Sequence, residues 1–137
     1  MDKSLLNSPR ILLVEDYAAN ILVTTTYLEE FGYEYDVAND GNEAVEKIRS
    51  GMYYAAVLMD VQMYDMDGLE ATRLIREYEK HTSKPRTLII GMTAHALSGD
   101  RERCLNAGMD DYIAKPFSPD TLKSKLELSK IDINEAA

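Results

Sequence analysis

Five short, largely apolar runs divide this 137-residue chain into repeating units, and each run precedes a segment whose apolar residues recur at helical spacing. The runs cover residues 10–14, 33–38, 55–59, 87–92 and 111–114; the predicted helices cover residues 18–31, 42–50, 68–80, 96–107 and a stretch beginning after Ser118. A continuous apolar run such as residues 11–14 is typical of a strand buried on both faces. Strands that alternate with helices in this way favour an α/β fold, with a parallel sheet covered by helices on both faces and right-handed connections.

Polar side chains stand at the ends of four of these strands. After the first, third, fourth and fifth strands come, respectively, Glu15 with Asp16, then Asp60, Thr93 and Lys115. In an open parallel sheet, ligands bind in the crevice outside the carboxyl ends of the strands. We therefore expect three carboxylates, one hydroxyl and one ammonium group to meet in one crevice.

Three carboxylates at one point need a compensating positive charge. At an effective dielectric constant of ~20, two like charges ~4 Å apart repel each other by about 4 kcal/mol. Lys115 offsets part of this repulsion, and a hard divalent cation offsets more. Because a few oxygen ligands with open positions suit Mg²⁺, and no cysteine or histidine accompanies the acids, the sequence predicts Mg²⁺ rather than Zn²⁺. We expect Mn²⁺ to be able to substitute.

The same residues predict phosphoryl transfer. A carboxylate can act as a nucleophile and form an acyl phosphate. The cation and Lys115 would neutralise charge on the phosphoryl oxygens, and the Thr93 hydroxyl would hydrogen-bond another oxygen. Asp60 is the predicted nucleophile because it ends the central strand and faces both the acidic pair and the lysine.

Composition limits the classes of partner. A formal net charge of −9 opposes nonspecific binding to nucleic acid or to an anionic membrane, and no apolar run approaches the roughly 18–20 residues of a membrane span. The single cysteine, Cys104, cannot form an internal disulfide, which fits a reducing, cytoplasmic compartment. We expect residues 1–8 to be a leader or linker, residues 9–128 to form one domain, and residues 129–137 to form a polar tail.

Short motifs at the strand ends carry a resemblance to a known family. They are ILLVED at residues 11–16, LMDVQM at 58–63, MDG at 66–68, MTA at 92–94 and KPF at 115–117. Over about residues 9–128 the sequence resembles the receiver domains of two-component signalling. The resemblance implies a single doubly wound, flavodoxin-like domain whose five parallel strands follow the order 2-1-3-4-5.

The resemblance also implies a metal site beside a phosphorylated residue. Asp60 would carry the phosphoryl group. Glu15 and Asp16 would bind the metal together with Asp60, and Gln62 would contribute its backbone carbonyl.

Four further roles follow from the resemblance. Thr93 and Lys115 would bind the phosphoryl group. Tyr112 occupies the position of an aromatic switch that turns inward when Thr93 moves, although a half-buried strand tyrosine that never moves fits the position equally well. The peptide bond before Pro116 would be cis.

The longer sequences of residues 59–63, 68–73 and 93–96 resemble those of receivers attached to hybrid sensor kinases. Such receivers exchange their phosphoryl group with a histidine, so the expected partner is a histidine phosphotransfer domain or the dimerisation helices of a sensor histidine kinase. We expect a signalling domain rather than an enzyme, catalysing only its own phosphorylation and dephosphorylation. Within a hybrid kinase it would lie on the cytoplasmic side of the membrane.

Two positions depart from the family pattern. Tyr17 stands where hybrid-type relatives often have asparagine, and its ring could screen the metal site or alter partner contact. Tyr64 stands where many relatives have a proline that restrains the loop. Each could equally be a tolerated surface tyrosine.

Three other functions stay open on the sequence alone. They are a flavodoxin-like cofactor binder, a Mg²⁺-dependent phosphatase that uses Asp60, and an interaction module that is not phosphorylated. The acidic pair after the first strand would repel a cofactor phosphate, and the chain has no insertion long enough for a substrate cap.

Overall fold

Strands and helices alternate along the whole described part of the chain. The computed structural model describes residues 10–63, 66–94 and 99–136, with side chains through residue 127. In order, the elements are β1 (Arg10–Val14), α1 (Ala18–Glu30), β2 (Glu34–Ala38), α2 (Gly41–Arg49), β3 (Ala56–Asp60), α3 (Gly68–Thr82), β4 (Ile89–Thr93), α4 (Asp100–Ala107), β5 (Asp111–Ala114) and α5 (Pro119–Ala136).

The five strands form one parallel sheet in the order β2-β1-β3-β4-β5. This confirms the predicted α/β fold and the strand order that the resemblance implies. β3 and β4 extend one residue further than predicted, so Asp60 and Thr93 are the last residues of their strands rather than the residues that follow them. Because all strands run in the same direction, their carboxyl ends still meet at one edge of the sheet.

Alternate residues of the central strands face two separate apolar layers. Leu12 and Met59 pack with residues of α2, α3 and α4 on one face of the sheet. Ile11 and Leu58 pack with residues of α1 and α5 on the other face. Since both faces of these strands are covered, the positions inside them are apolar, and the runs are therefore continuous in the sequence, with the polar residues Arg10 and Asp60 at strand ends.

The last two helices differ from their predicted bounds. α4 begins at Asp100 rather than at residue 96, and residues 95–98 lie outside the described part of the chain. α5 continues to Ala136, past residue 128, where the tail was predicted to begin. The domain boundaries themselves stay a prediction. No helix in the described part of the chain is both long and apolar enough to cross a membrane.

The partly buried Arg76 ties α3 to the amino-terminal ends of β4 and β5. The Arg76 guanidinium donates to the carbonyl oxygens of Thr87 and Gly108 at 2.7 and 2.8 Å, and to the carboxylates of Glu79 and Asp110, both at 2.9 Å. The two carboxylates in turn accept backbone N–H groups at the start of β4. The network therefore fixes the sheet end opposite the predicted site, where the connections into β4 and β5 begin.

We expect Arg76→Met to lower the free energy of unfolding by about 3 kcal/mol, because it removes the cation that contacts the buried Glu79 carboxylate and leaves Asp110 with its ion pair to the more exposed Arg86. The matched control is Arg73→Met on the same helix. Its side chain is 57% exposed, against 14% for Arg76, and its ion pair with Glu70 is long, at 3.4 Å. We expect that variant to change stability by less than about 0.5 kcal/mol. Equal losses in urea denaturation would contradict this role for Arg76.

Candidate functional site

The strand register places the acidic residues of β1 and β3 side by side. Val14 pairs with Met59 in the parallel ladder, so the next residues, Glu15 and Asp60, are neighbours at the carboxyl edge of the sheet. Both are almost inaccessible to water, Glu15 at 1% and Asp60 at 4% exposure. Two buried carboxyl groups in contact require either a shared proton or a cation.

The register of β4 and β5 completes the cluster. Asp60 pairs with Met92, and Thr93 pairs with Ala114. Lys115 follows the last residue of β5, and its backbone N–H donates to the backbone carbonyl oxygen of Thr93 at 2.7 Å. These backbone contacts bring the buried Thr93 side chain and Lys115 to the edge that carries the acids.

Lys115 joins the two buried carboxylates. Its ammonium nitrogen lies 2.8 Å from Glu15 Oε1 and 3.1 Å from Asp60 Oδ1. The prediction that a lysine would offset the acids thus has a specific geometry, a single ammonium group bridging β1 and β3. The sequence analysis did not foresee that the shorter contact is to Glu15.

The electrostatics of the cluster raise the pKa of Asp60 when no metal ion is bound. Burial raises the pKa of Asp60 to about 7, and the hydrogen bond with Glu15 adds to this, while the charge of Lys115 opposes it. Burial also acts to raise the pKa of Glu15, but hydrogen bonds from Asp60 and Lys115 outweigh burial and hold that pKa below its usual value. Burial acts to lower the pKa of Lys115, yet hydrogen bonding to Glu15 and the charge of Asp60 raise it overall. Glu15 and Lys115 are therefore the charged pair, and Asp60 is the group whose charge changes.

Asp16 extends the cluster toward solvent. One oxygen from each of Glu15, Asp16 and Asp60 lies within 4.8 Å of the others, and Asp16 is exposed. The backbone N–H groups of Asp16 and Gln62 donate to Glu15 Oε2 and Asp60 Oδ1, both at 3.2 Å, and hold those carboxylates in place. Hard oxygen donors with one side open to water fit Mg²⁺, which keeps several of its waters.

A glycine allows α3 to begin directly against the site. A Cβ at Gly68 would lie 2.2 Å from the carbonyl oxygen of Asp60, and the Gly68 N–H donates to the Val61 carbonyl at 3.0 Å. The Asp67 side chain caps the helix by accepting the Glu70 N–H at 2.9 Å. The sequence predicted that a helix opens at Gly68, but the close approach to the Asp60 backbone appears only in the structure.

The remaining predicted residues lie around this cluster. Tyr112 is half-buried on β5 opposite Gly91 and packs against the core layer of α2, α3 and α4. The Lys115–Pro116 peptide bond is cis. Tyr17 is exposed at the start of α1, and its side chain makes no capping hydrogen bond. Tyr64 lies outside the described residues.

One contact of Thr93 was missed by sequence reasoning. Its hydroxyl donates to Asp100 Oδ2 at 3.2 Å, across the β4–α4 connection. No motif around Asp100 signals this contact, because it depends on how the end of β4 and the start of α4 lie in the fold.

A cleft adjoins the acidic cluster on the α1 side. It encloses about 430 Å³ between α1 and the segment after β5. Its lining residues are Glu15, Asn20, Val23, Thr24, Tyr27, Ala94, Lys115, Pro116 and Phe117. The cluster can therefore be reached from the side where α1 is exposed.

Comparison with protein families identifies one whose model matches most of this chain. The model of the response regulator receiver domain matches residues 11–127. Hybrid signal transduction histidine kinase L of Dictyostelium discoideum is 41% identical over 116 residues, which cover 83% of this chain and 7% of that kinase. The sensor protein GacS of Pseudomonas syringae pv. syringae is 40% identical over 111 residues, covering 81% of the chain and 12% of that protein. The chain thus spans only a small part of these relatives.

Solved structures show the same architecture. One is the receiver domain of a sensor histidine kinase of Pseudomonas aeruginosa PAO1, whose structure has a magnesium ion coordinated in the active site cleft. It is 43% identical to this chain, with a TM-score of 0.78, and the match covers 88% of this chain and 95% of that one. The receiver domain of a Saccharomyces cerevisiae response regulator, crystallised with a histidine phosphotransfer signaling protein, gives 29% identity and a TM-score of 0.79, over 87% and 86% of the two chains.

In the metal-free protein, we expect Asp60→Asn to raise the free energy of unfolding, and by more at pH 8 than at pH 5. The pKa of Asp60 is about 7 in the fold, against 3.8 as the ordinary value. The stability contributed by its protonation is therefore complete below pH 4 and is lost as the pH rises through 7. An asparagine has no proton to lose and stays uncharged, so its advantage should grow by about 1–3 kcal/mol between pH 5 and pH 8.

Urea denaturation at the two pH values measures this difference. The control adds saturating Mg²⁺ at pH 8, which should stabilise the wild type more than Asp60→Asn and reduce or reverse the gap. An advantage of Asp60→Asn that is constant or shrinks with rising pH would contradict the assigned proton.

Proposed function

The chain belongs to the response regulator receiver domain family, and on that premise we propose that it accepts a phosphoryl group on Asp60 in a Mg²⁺-dependent reaction. It is a receiver domain of a two-component phosphorelay. The observation that carries the residue assignment is the buried contact of Asp60 with Lys115, with two further carboxylates alongside. This site has a nucleophile, a cation for the phosphoryl oxygens and ligands for a metal.

Glu15, Asp16 and Asp60 would hold the metal, with the backbone carbonyl of Gln62 as a further ligand. When bound, Mg²⁺ neutralises charge on the phosphoryl oxygens. Mn²⁺ accepts the same oxygen ligands and would substitute. The magnesium ion in the cleft of the related Pseudomonas aeruginosa receiver supports this assignment by analogy.

Asp60 would act as the nucleophile toward a phosphohistidine. One carboxylate oxygen attacks phosphorus, the O–P bond forms as the P–N bond breaks, and the imidazole nitrogen keeps the electron pair of the broken bond. Lys115 already contacts Asp60, so its ammonium group would be close enough to form an ion pair with a phosphoryl oxygen. The Thr93 hydroxyl would donate a hydrogen bond to another phosphoryl oxygen. The domain would thereby catalyse its own phosphorylation and dephosphorylation and no other reaction.

Phosphorylation would bias two conformations of one surface. Thr93 and Tyr112 lie on adjacent strands, and a hydrogen bond from Thr93 to the phosphoryl group would be the contact that differs between the conformations. A ligand shifts such an equilibrium only by its differential affinity for the two states. We place the responding surface on α4, β5 and their connections, with Tyr112 turning inward.

The phosphoryl donor would be a histidine on a histidine phosphotransfer domain or on the dimerisation helices of a sensor histidine kinase. Its imidazole must approach Asp60 in line, and the cleft beside α1 leaves that side accessible. On α1 and just before it, the apolar side chains of Tyr17, Leu22 and Val23 are exposed. They would pack against the partner's helices while water is excluded from the site.

Incubation with a small phosphodonor and Mg²⁺ should give an acid-labile, hydroxylamine-sensitive adduct on Asp60 that peptide mass mapping locates. Asp60→Asn should abolish it, and chelation of Mg²⁺ should prevent it in the wild type. The matched control is Asp67→Asn, since asparagine caps a helix as well as aspartate does and the residue lies nearby at the start of α3. Labelling that survives Asp60→Asn would refute the assignment. A wild type that is never labelled would favour the interaction module, and steady phosphate release from phosphomonoesters would favour the phosphatase.

Ala19→Glu should slow phosphotransfer from the partner about tenfold while leaving small-donor phosphorylation nearly intact, because it places a charge on an apolar docking face. Ala19 is exposed on α1. Ala19→Gln is the matched control, with the same length and no charge, and we expect a smaller loss. If neither variant slows transfer from the partner, α1 is not the docking face; if the small donor also fails, the substitution has damaged the site instead.

A further inference from the structure

The hydroxyl of Thr93 is held by a group outside the acidic cluster. Thr93 ends β4 and is buried, and its Oγ1 donates to Asp100 Oδ2 at 3.2 Å. Asp100 is the first residue of α4. The contact thus joins the end of β4 to the start of the helix that follows it.

Among the residues that the structure describes, the Asp100 carboxylate contacts Arg103 as well as Thr93. The N-cap residue of α4 is Gly99, with φ of 108°, which has no side chain to cap the helix, and Asp100 is one of two acidic residues in the first turn. Its other oxygen lies 3.5 Å from Arg103 Nη1, and the Arg103 side chain is 64% exposed against 17% for Asp100. A long, exposed ion pair of this kind contributes little, so the hydrogen bond from Thr93 is the stronger of these two described contacts of Asp100.

A threonine hydroxyl has one proton to donate. It can donate to Asp100 or to a phosphoryl oxygen on Asp60, and the two acceptors compete for it. We propose that Asp100 is a positioning residue that restrains the unphosphorylated conformation by holding the Thr93 hydroxyl, so that phosphorylation must exchange one acceptor for the other. This inference rests on the proposed role of Thr93 at a phosphorylated Asp60.

The exchange has two consequences. Asp100 lowers the apparent affinity of the site for a phosphoryl group, because the conformation competent to bind it is only partly populated. Release of Thr93 also frees the carboxylate at the first residue of α4, which gives the site a direct connection to that helix. The strength of this restraint would set how readily the domain switches.

The affinity for beryllofluoride, an analogue of the phosphoryl group, measures the restraint in the presence of Mg²⁺. We expect Asp100→Ala to bind the analogue about three- to tenfold more tightly, since one competing hydrogen bond is removed. The matched control is Glu102→Ala, which removes a negative charge from the same first turn of α4. We expect it to change the affinity by less than about twofold, because an exposed charge is screened by solvent and salt.

A double-mutant cycle with Thr93→Val separates the hydrogen bond from a general effect of charge. In the Thr93→Val background, Asp100→Ala should have no further effect on the affinity for beryllofluoride. In the otherwise unchanged protein, Asp100→Ala should also shift the NMR signal of the Thr93 methyl group before any ligand is added, whereas Glu102→Ala should not. If Asp100→Ala does not fold, Asp100→Asn keeps a weaker, neutral acceptor and should give a smaller tightening in the same direction.

Unchanged or weaker binding by the folded Asp100 variant would overturn the inference, as would a tightening that persists in the Thr93→Val background. In both cases wild-type binding of beryllofluoride leaves the proposed function intact. A wild type that does not bind beryllofluoride with Mg²⁺ would instead refute the phosphoryl site itself, and the inference with it.

Discussion

The ammonium group of Lys115, lying between Glu15 and Asp60, is the interaction on which the site depends. Without it, two carboxyl groups would be buried together with no positive charge between them, at a cost of several kcal/mol. With it, Glu15 remains charged, and Asp60 becomes the group whose protonation can change near neutral pH. The arrangement keeps Asp60, the proposed nucleophile, buried but responsive to a cation, and a metal or a phosphoryl group would then alter a charge balance that is already in place.

The parallel sheet makes this arrangement possible because every strand presents its carboxyl end at the same edge. The ladder from Val14 to Met59, and from Thr93 to Ala114, fixes which end residues become neighbours. At the opposite edge, Arg76 holds the connections into β4 and β5 through backbone carbonyls and two acids. The site can therefore change its hydrogen bonds at Thr93 while the far end of the same strands stays fixed.

The sequence predicted the fold and the residues around the site because both follow from local patterns. Buried strands appear as apolar runs, and the edge of a parallel sheet lies wherever those runs end, so Asp60 and Lys115 could be placed together without coordinates. The partner of each polar atom could not be predicted in this way. Neither the shorter contact of Lys115 with Glu15 nor the contact of Thr93 with Asp100 has a periodicity or a motif, because each depends on side-chain conformation and on the path of a connection. The requirement for glycine at residue 68 likewise depends on how closely the start of α3 approaches the backbone of Asp60.

A crystal structure of the domain with Mg²⁺ and beryllofluoride tests the central claim most directly, because it locates the metal and the phosphoryl analogue together. The account predicts beryllium bonded to an Asp60 carboxylate oxygen, with Lys115 Nζ and Thr93 Oγ1 contacting fluorine atoms. The metal should be bound by the acidic cluster of Glu15, Asp16 and Asp60 together with the Gln62 carbonyl. Beryllofluoride on another carboxylate, or a metal bound away from Asp16 and Asp60, would contradict it.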